Sequence, residues 1–322
     1  MVSTMQALTN RLGRMKLSLA DAMARVAVRA PSLERALVAA CHNPALRRST
    51  RLGAVAVGYT RVLDRPELRV ADLGKYRMLV NVAEELGNVP FFFGESCTLW
   101  LTANLVGSND NCVDAGANMG HYTLFMASKV GPAGRVLSFE ANPAYVRILQ
   151  DSLELNSYRS RVHLHSEALW EQSGLEMTFY ISVNSANSGT SSLIDHGTYL
   201  RPDSHIKVKT ITLDDAAKAE GLDHFRLVKI DVERAEEFVI RGAQALLSRR
   251  LIDFLIVELV AGTETQRALQ KHGYVGWFAD SSQKSLVPID GVAAGTFGDF
   301  VFASPLHLSE LARAANMSSR EV

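Results

Sequence analysis

Cysteine is scarce in this sequence. Cys41, Cys97 and Cys112 are the three among 322 residues, and they stand far apart. Their spacings are not those of a structural zinc site, and three scattered thiols do not make a disulfide framework. A reducing compartment, the cytoplasm, is the expected location. Long apolar runs are missing as well, so no segment reads as a bilayer-spanning helix. There is no internal repeat and no low-complexity tract, which argues against a solenoid or a repeat array. Net charge is also absent, with 34 Lys and Arg balancing 34 Asp and Glu. What remains is ordinary globular composition, 47% hydrophobic and 21% charged. That is enough for one large domain with an appendage, or for two small domains.

The zero balance hides an asymmetry. Residues 1 to 63 carry ten Lys or Arg against Asp21 and Glu34, a net of +8, which leaves −8 on the remainder. Such a split marks the N-terminal piece as a separate structural unit. Met5, Leu8, Leu12, Met15, Leu19, Met23, Val26 and Ala30 follow one another at spacings of three or four. They form one apolar stripe on a helix of about seven turns, ending before Pro31. A second short helix, roughly 31 to 42, follows from that proline. Three roles fit the segment: a helical cap packed on the main domain or on the twin subunit of a homodimer, a basic amphipathic helix lying on an anionic membrane surface, or an organellar targeting peptide.

Residues 69 to 82, "RVADLGKYRMLVNV", read as two short strands around Gly74 and Lys75. "FFFGESCTLWLTANLVG" gives a helix opening near Glu95 and ending at Gly107. From residue 111 apolar strands alternate with helical stretches. Strands are expected at 111–115, 135–140, 161–166, 225–231, 251–258, 273–278 and 297–303. That alternation predicts an α/β fold with a parallel, doubly wound, Rossmann-like sheet. The last two strands are joined by a loop broken by Ser281, Ser282, Pro288, Gly291 and Gly295, too short for a packed helix. They are expected to pair antiparallel at one edge.

"CVDAGANMG" is a strand end of the kind beyond which ligands bind in open α/β sheets. Gly116 and Gly120 let the backbone pass close to a bulky ligand, and Asn118 tolerates a tight turn. The spacing G-x-x-x-G is neither the dinucleotide fingerprint nor a P-loop, and the P-loop lysine is missing. Asp114, just ahead of the turn, would repel a pyrophosphate and suits a positively charged ligand such as an amine or a sulfonium. A purely structural strand-turn-helix is the alternative. "GRVLSFEANP" then ends in Glu140, 24 positions after Gly116. An acid at the end of the second strand accepts both hydroxyl hydrogens of a ribose. "VHLHSEALW" closes the third strand with Glu167 and Ala168, where an adenine edge would be met, unless Glu167 is simply a surface carboxylate.

At this point the residues carry a resemblance. "VDAGANMGHYTLFMA", "FEANP", "LVKIDVERAEEFVIRGA" and "FLIVELV" are similar to the FkbM-type family of S-adenosylmethionine-dependent methyltransferases. The likeness runs from about residue 69 to 303 and includes "ADLGKYRMLVN" and "TITLDD". The resemblance implies a class I methyltransferase sheet of order 3-2-1-4-5-7-6 with its last strand antiparallel. It implies methyl transfer, usually to a hydroxyl oxygen on a sugar or polyketide in natural-product biosynthesis. Asp114, Gly116, Asn118 and Gly120 would line the methionine part of S-adenosylmethionine, Glu140 would hold the ribose, and Asn142, Glu167 and Ala168 would border the adenine. Asp231, Glu233 and Glu236 match the acidic segment after the fourth strand. This chain has Arg234 where the family often has Gly, which puts the usual substrate class in doubt.

Sulfonium chemistry needs alignment and water exclusion, and an alcohol acceptor needs a base. Asp231, Glu233, Glu258 and His121 stand at strand or helix ends on the ligand side and are the candidate catalytic residues. Asp231 and Glu233 together are also a candidate site for a divalent cation such as Mg²⁺. Glu233 and Glu236 also read as the first turn of a helix, favoured by its dipole, and His121 as a helix-start residue. "VNSANSGTSSLID", residues 183 to 195, reads as a lid or a linker between the third and fourth strands. The expected layout is a helical basic cap over 1–68, a strand pair and helix over 69–108, the cofactor-binding domain over 109–305 and a C-terminal helix or tail over 306–322. The expected partner is a small hydroxylated molecule, with nucleic acid disfavoured because the basic helix lacks interleaved aromatics. The competing functions are a non-catalytic nucleoside-binding scaffold and a nucleic-acid methyltransferase using the basic segment as an arm.

Overall fold

Pro31 sets the first clear boundary in the chain. The residue before a proline is pushed out of helical conformation, and Ala30 accordingly lies at φ −124°, ψ 92°, between helix α1 (residues 19–29) and α2 (Pro31–His42). The computed structural model describes residues 19–43, 45–46, 49–93, 99–182, 188–195, 205–280 and 283–317. The start of the long N-terminal stripe, residues 5 to 18, therefore lies outside the described residues, as does the expected helix opening at Glu95. The chain divides into two units, Met1–Ser96 with Val183–Ser188, and Cys97–Ser182 with Gly189–Val322. Among the described residues no helix is long and apolar enough to cross a membrane.

In the first unit α1 and α2 are followed by α3 (Thr50–Val62), the antiparallel pair β1 (Leu68–Asp72) and β2 (Arg77–Asn81), and α4 (Glu85–Phe93). The hairpin turn is held by the Asp72 carboxylate, which accepts from the Gly74 N–H at 2.9 Å. Small residues face inward on α1: Ala20, Ala24 and Ala27 are buried. They allow close approach to α3, where a Cβ on Gly58 would stand 3.0 Å from that of Ala24. Tyr59 and Phe92 meet edge to face at 4.8 Å. Glu34 is buried among them, accepting from Tyr59 at 3.2 Å and from Arg69 at 2.9 Å. Helix α4 escapes the sequence reading because Pro90 sits inside it; burial of Phe91 and Phe92 outweighs the cost of the proline.

The second unit begins with α5 (Leu99–Leu105), then β3 (Asn111–Ala115), α6 (His121–Val130), β4 (Arg135–Phe139), α7 (Pro143–Asn156) and β5 (Val162–His165). There follow β6 (Ala168–Leu169), β7 (Glu176–Tyr180), β8 (His205–Ile211), α8 (Leu213–Ala219), β9 (Phe225–Ile230), α9 (Glu236–Arg241) and α10 (Gln244–Ser248). The unit closes with β10 (Ile252–Val260), α11 (Glu264–Lys271), β11 (Val275–Asp280), β12 (Ser285–Pro288), β13 (Phe297–Ala303) and α12 (Leu308–Ala314). The main sheet has the order β12-β11-β13-β10-β9-β3-β4-β5. Leaving out β12 and counting along the chain, that is 3-2-1-4-5-7-6, with β13 antiparallel to both its neighbours. The expected order and the antiparallel last strand are both present. Two features differ from the expectation. An eighth strand, β12, pairs on the outer edge of β11 within the supposed loop. The region between β5 and β9 is no bare loop either, since β6, β8 and β7 form a second sheet of three strands. β6 and β12, of two and four residues, leave too short an alternation to read, and β7 and β8 are set by their antiparallel pairing with each other.

Buried strands make the core. Val113, Leu137, Val228, Leu255 and Phe300 are all sealed from water on one face, as expected of a sheet covered by helices. The opposite register positions on β3 and β9, Asp114 and Lys229, are directly paired neighbours. Charged side chains inside such a sheet need a partner, and that requirement organises the site.

Candidate active site

The turn between β3 and α6 is built around a buried acid. Asp114 is 1% exposed, and its Oδ2 accepts from the Thr123 hydroxyl at 2.5 Å. Thr123 lies 2.8 Å from the Ser138 hydroxyl on β4, and its backbone N–H also bonds Asp114. A strand ends in an acid here because that acid satisfies a donor in the first turn of the next helix. Burial raises the Asp114 pKa, and the nearby Lys229 charge opposes the rise.

Gly116 and Gly120 hold left-handed conformations, at φ +82° and +95°, and Asn118 between them lies at +51°. A Cβ on Gly116 would stand 1.8 Å from the Asp231 carbonyl oxygen, and one on Gly120 2.3 Å from Leu149 Cδ1. Both glycines thus serve close packing inside the protein, a demand that the motif alone does not reveal. The turn is tied to the next strand by Glu140, which is 7% exposed. Its Oε2 accepts from the Asn118 N–H and its Oε1 from the Asn142 N–H, each at 2.7 Å. A third backbone N–H, that of Ala141, also bonds the Glu140 carboxylate. Burial pushes the Glu140 pKa up to about 7, against the pull of backbone hydrogen bonds from Asn142, Asn118 and Ala141. Asn142 caps α7, its Oδ1 accepting from the Ala144 N–H at 3.0 Å. Glu167 and Ala141 share the wall of a cavity of about 450 Å³. Ala168 packs in an apolar cluster with Ala141, Trp170 and Val208.

A second set of charges lies beyond β9 and β10. Lys229 is 4% exposed, with its Nζ 2.5 Å from Asp231 Oδ2 and 5.0 Å from the Tyr122 ring centre. Burial disfavours its charge, yet Asp231, Tyr122, Asp299 and Asp114 together hold its pKa above the ordinary value. The register pairs Ile230 with Val257 and Glu258 with Asp299. Asp231, Glu258 and Asp299 therefore form a row across three adjacent strands. Burial raises the Glu258 pKa to about 8, helped by Asp231, Glu233 and Asp299 and opposed by Lys229. Burial likewise lifts Glu233 to about 7, with Asp231 and Glu236 adding to it. His121, at the start of α6, is lowered by burial to about 4 and is neutral at physiological pH.

The turn after β9 is strained, with Glu233 at φ +55° and Arg234 at +73°. It is held from two sides. Glu236, 7% exposed, accepts from the Val232 and Arg234 N–H groups at 3.1 Å each. Ser192 donates its hydroxyl to the Glu233 carbonyl at 2.7 Å. Of the segment read as a lid, residues 183–187 lie outside the described residues, while Ser192 is thus anchored at the site. Glu233, Arg234 and Glu258 line a cavity of about 610 Å³ whose other wall is Leu259, Val260 and Phe297. Among the described residues no group of three or more His, Cys, Asp or Glu is arranged to hold a metal ion. Lys229 and Asp299 were not foreseen; a lysine inside "FRLVKI" and an acid inside "FGDFVFA" were the available signals.

A sheet of this order, with acids at or beyond the carboxyl ends of β3, β4 and β9, has the Rossmann-like architecture of class I methyltransferases. Comparison with known sequences narrows the class. Residues 114–275 match the methyltransferase FkbM domain, about half of the chain, and the protein belongs to that family. Methyltransferase 1 of Beauveria bassiana is 34% identical over 161 residues, 46% of this chain and 63% of its own length. This chain thus spans less than two thirds of that relative. Methyltransferase sdnD of Sordaria araneosa is 28% identical, over 56% of this chain and 77% of its own. The hexuronic acid methyltransferase AglP of Haloferax volcanii is also 28% identical, over 61% and 75%. Among solved structures, a methyltransferase FkbM from Methylobacillus flagellatus aligns with a TM-score of 0.39 and 14% identity, over 83% of this chain and 57% of that one.

Proposed function

We propose that this protein transfers the methyl group of S-adenosylmethionine to a hydroxyl oxygen of a small hydroxylated molecule, a sugar or polyketide. The observation that carries the reading is the carboxylate row Asp231, Glu258 and Asp299 beside the Gly116 turn, next to a cavity with one acidic and one apolar wall. A relative named for hexuronic acid supports a sugar-sized acceptor. The bound cofactor supplies a sulfonium methyl that is already activated. Glu140 would accept from the ribose hydroxyls with the acceptor capacity its backbone partners leave. Asn142, Glu167 and Ala168 border the adenine, and the Asp114–Gly120 turn passes the methionine part.

Asp231, fixed by Lys229, hydrogen-bonds the acceptor hydroxyl. Glu258 would take the hydroxyl proton, while the bound cofactor would supply the methyl group. A base with a pKa of about 8 is matched to work near neutrality, whereas His121 at about 4 is too weak. A divalent cation on Asp231 and Glu233 is the weaker version of this site, because Lys229 already brings a positive charge to Asp231.

Mass-spectrometric detection of methyl transfer to a panel of hydroxylated acceptors tests the reading. Glu258→Gln should lower kcat by about 10²-fold, the scale of general-base loss, with affinity for the demethylated cofactor little changed. A chelator should leave wild-type turnover intact if Lys229 is the only cation required, and stop it if a metal is needed. Full activity in both Glu258→Gln and Asp231→Asn would refute the assigned roles.

A further inference from the structure

Helix α1 is packed with its large side chains outward. Ala20, Ala24 and Ala27 are buried, while Leu19, Met23 and Val26 are 64%, 50% and 57% exposed. At 3.6 residues per turn Leu19, Met23 and Val26 fall in one line. Exposing three large apolar residues in a row while burying three alanines is costly for a surface facing only water. Arg25 and Arg29, both exposed, flank that line on the side away from the buried alanines. The helix has one acid in its described part, Asp21, and it is neutralised by Arg61 at 2.6 Å. The outward charge of α1 is therefore wholly positive.

A cleft continues the basic flank. Arg25 and Arg29 of α1 join Arg65, with Val28, Val62 and Leu63, around a cavity of about 320 Å³. Asp64 and Glu67 also line it; the Glu67 carboxylate is engaged by Arg69 at 2.7 Å. Three guanidinium groups beside Val28, Val62 and Leu63 suit a phosphate joined to a hydrocarbon portion, because arginine binds phosphate with a planar fork. An apolar line and a phosphate-sized basic cleft side by side describe a surface for the headgroup boundary of a bilayer.

We propose that α1 docks the protein peripherally on an anionic phospholipid membrane, with Leu19, Met23 and Val26 inserted at the acyl boundary and Arg25, Arg29 and Arg65 on headgroup phosphates. A second copy of the chain would cover the apolar line, but it would bring the same arginines face to face. Charge complementarity thus favours the anionic bilayer.

Co-sedimentation of the full chain with vesicles tests this, using phosphatidylglycerol mixed into phosphatidylcholine against phosphatidylcholine alone. Binding should need the anionic lipid and weaken at least tenfold as salt screens the arginines. It should fall by a similar factor in a Leu19→Gln, Met23→Gln, Val26→Gln variant and in Arg25→Gln, Arg29→Gln. All five positions are exposed, so circular dichroism should show both variants folded. No binding to anionic vesicles, or undiminished binding by either folded variant, would overturn the proposal. So would a concentration-dependent dimer that is lost in the apolar variant while vesicle binding persists.

Discussion

Glu140 shows how one side chain can serve fold and ligand together. Its carboxylate bonds the N–H groups of Asn118 and Asn142, so it fixes the two turns between which the cofactor is proposed to lie. Glu140→Ala should weaken binding of the demethylated cofactor by about 1–3 kcal/mol, the range for charged hydrogen bonds and orphaned buried donors. It should also lower the melting temperature, because the two N–H groups lose their acceptor. Calorimetry and thermal melts check the pair of effects, and normal affinity would remove the ribose role. Gly116 behaves differently from what its motif implies. A ligand-clearance role alone would leave Gly116→Ala folded, but a Cβ there meets the Asp231 backbone at 1.8 Å in a left-handed residue. The variant should therefore be destabilised even without ligand, by about 2 kcal/mol or more from overpacking and strain. An unchanged urea midpoint for the apoprotein would contradict this.

At the scale of the element, the turn between β9 and α9 concentrates the strain. Two consecutive residues with side chains, Glu233 and Arg234, occupy the left-handed region, which costs about 1–2 kcal/mol per residue. Glu236 and Ser192 hold the turn against that cost. The conformation explains why glycine suits position 234, a preference that sequence resemblance reports without a reason. Arg234→Gly should stabilise the protein by about 0.5–1 kcal/mol, the relieved strain being partly offset by the greater freedom of glycine in the unfolded chain. Chemical denaturation measures it. A destabilised Arg234→Gly would mean that the arginine side chain makes contacts worth more than the strain. Helices α1 and α4 teach a related point. Periodicity places α1 on the page but not which face is buried, and Pro90 hides α4 until the burial of Phe91 and Phe92 is seen.

For the molecule as a whole, the crowding of carboxylates near Lys229 predicts an unusual response to pH. Glu258 titrates near 4.5 when unfolded and near 8 when folded. Between those values the folded chain holds a proton that the unfolded chain has lost. The stability it contributes is thus complete below pH 4.5 and is lost as pH rises through 8. Glu140 and Glu233 have the same sign but finish near 7. His121, lowered to about 4, has the opposite sign and acts below its ordinary 6.5. Across the window from pH 7 to 8.5 Glu258 is the last of these three glutamates to ionise. The apoprotein should lose melting temperature across it, and Glu258→Gln should lose less; parallel curves would show that Glu258 ionises normally.

The strand and helix order of the second unit was legible in the sequence, because buried parallel strands must be continuously apolar and the helices between them periodic. The acids Asp114, Glu140 and Asp231 were legible for the same reason, since each ends an apolar run where the chain must turn. The strands β6, β7 and β8 were not, because their pairing is decided by partners distant in the chain. Nor could the sequence say that Asp114 faces α6, that Lys229 holds Asp231, or that Asp299 lies beside Glu258. Glu258 and Asp299 meet because β10 and β13, separated in the chain by α11, β11 and β12, pair in the sheet. Local patterning determined which residues end strands; only the sheet register, set by tertiary packing, decided which of their side chains would meet.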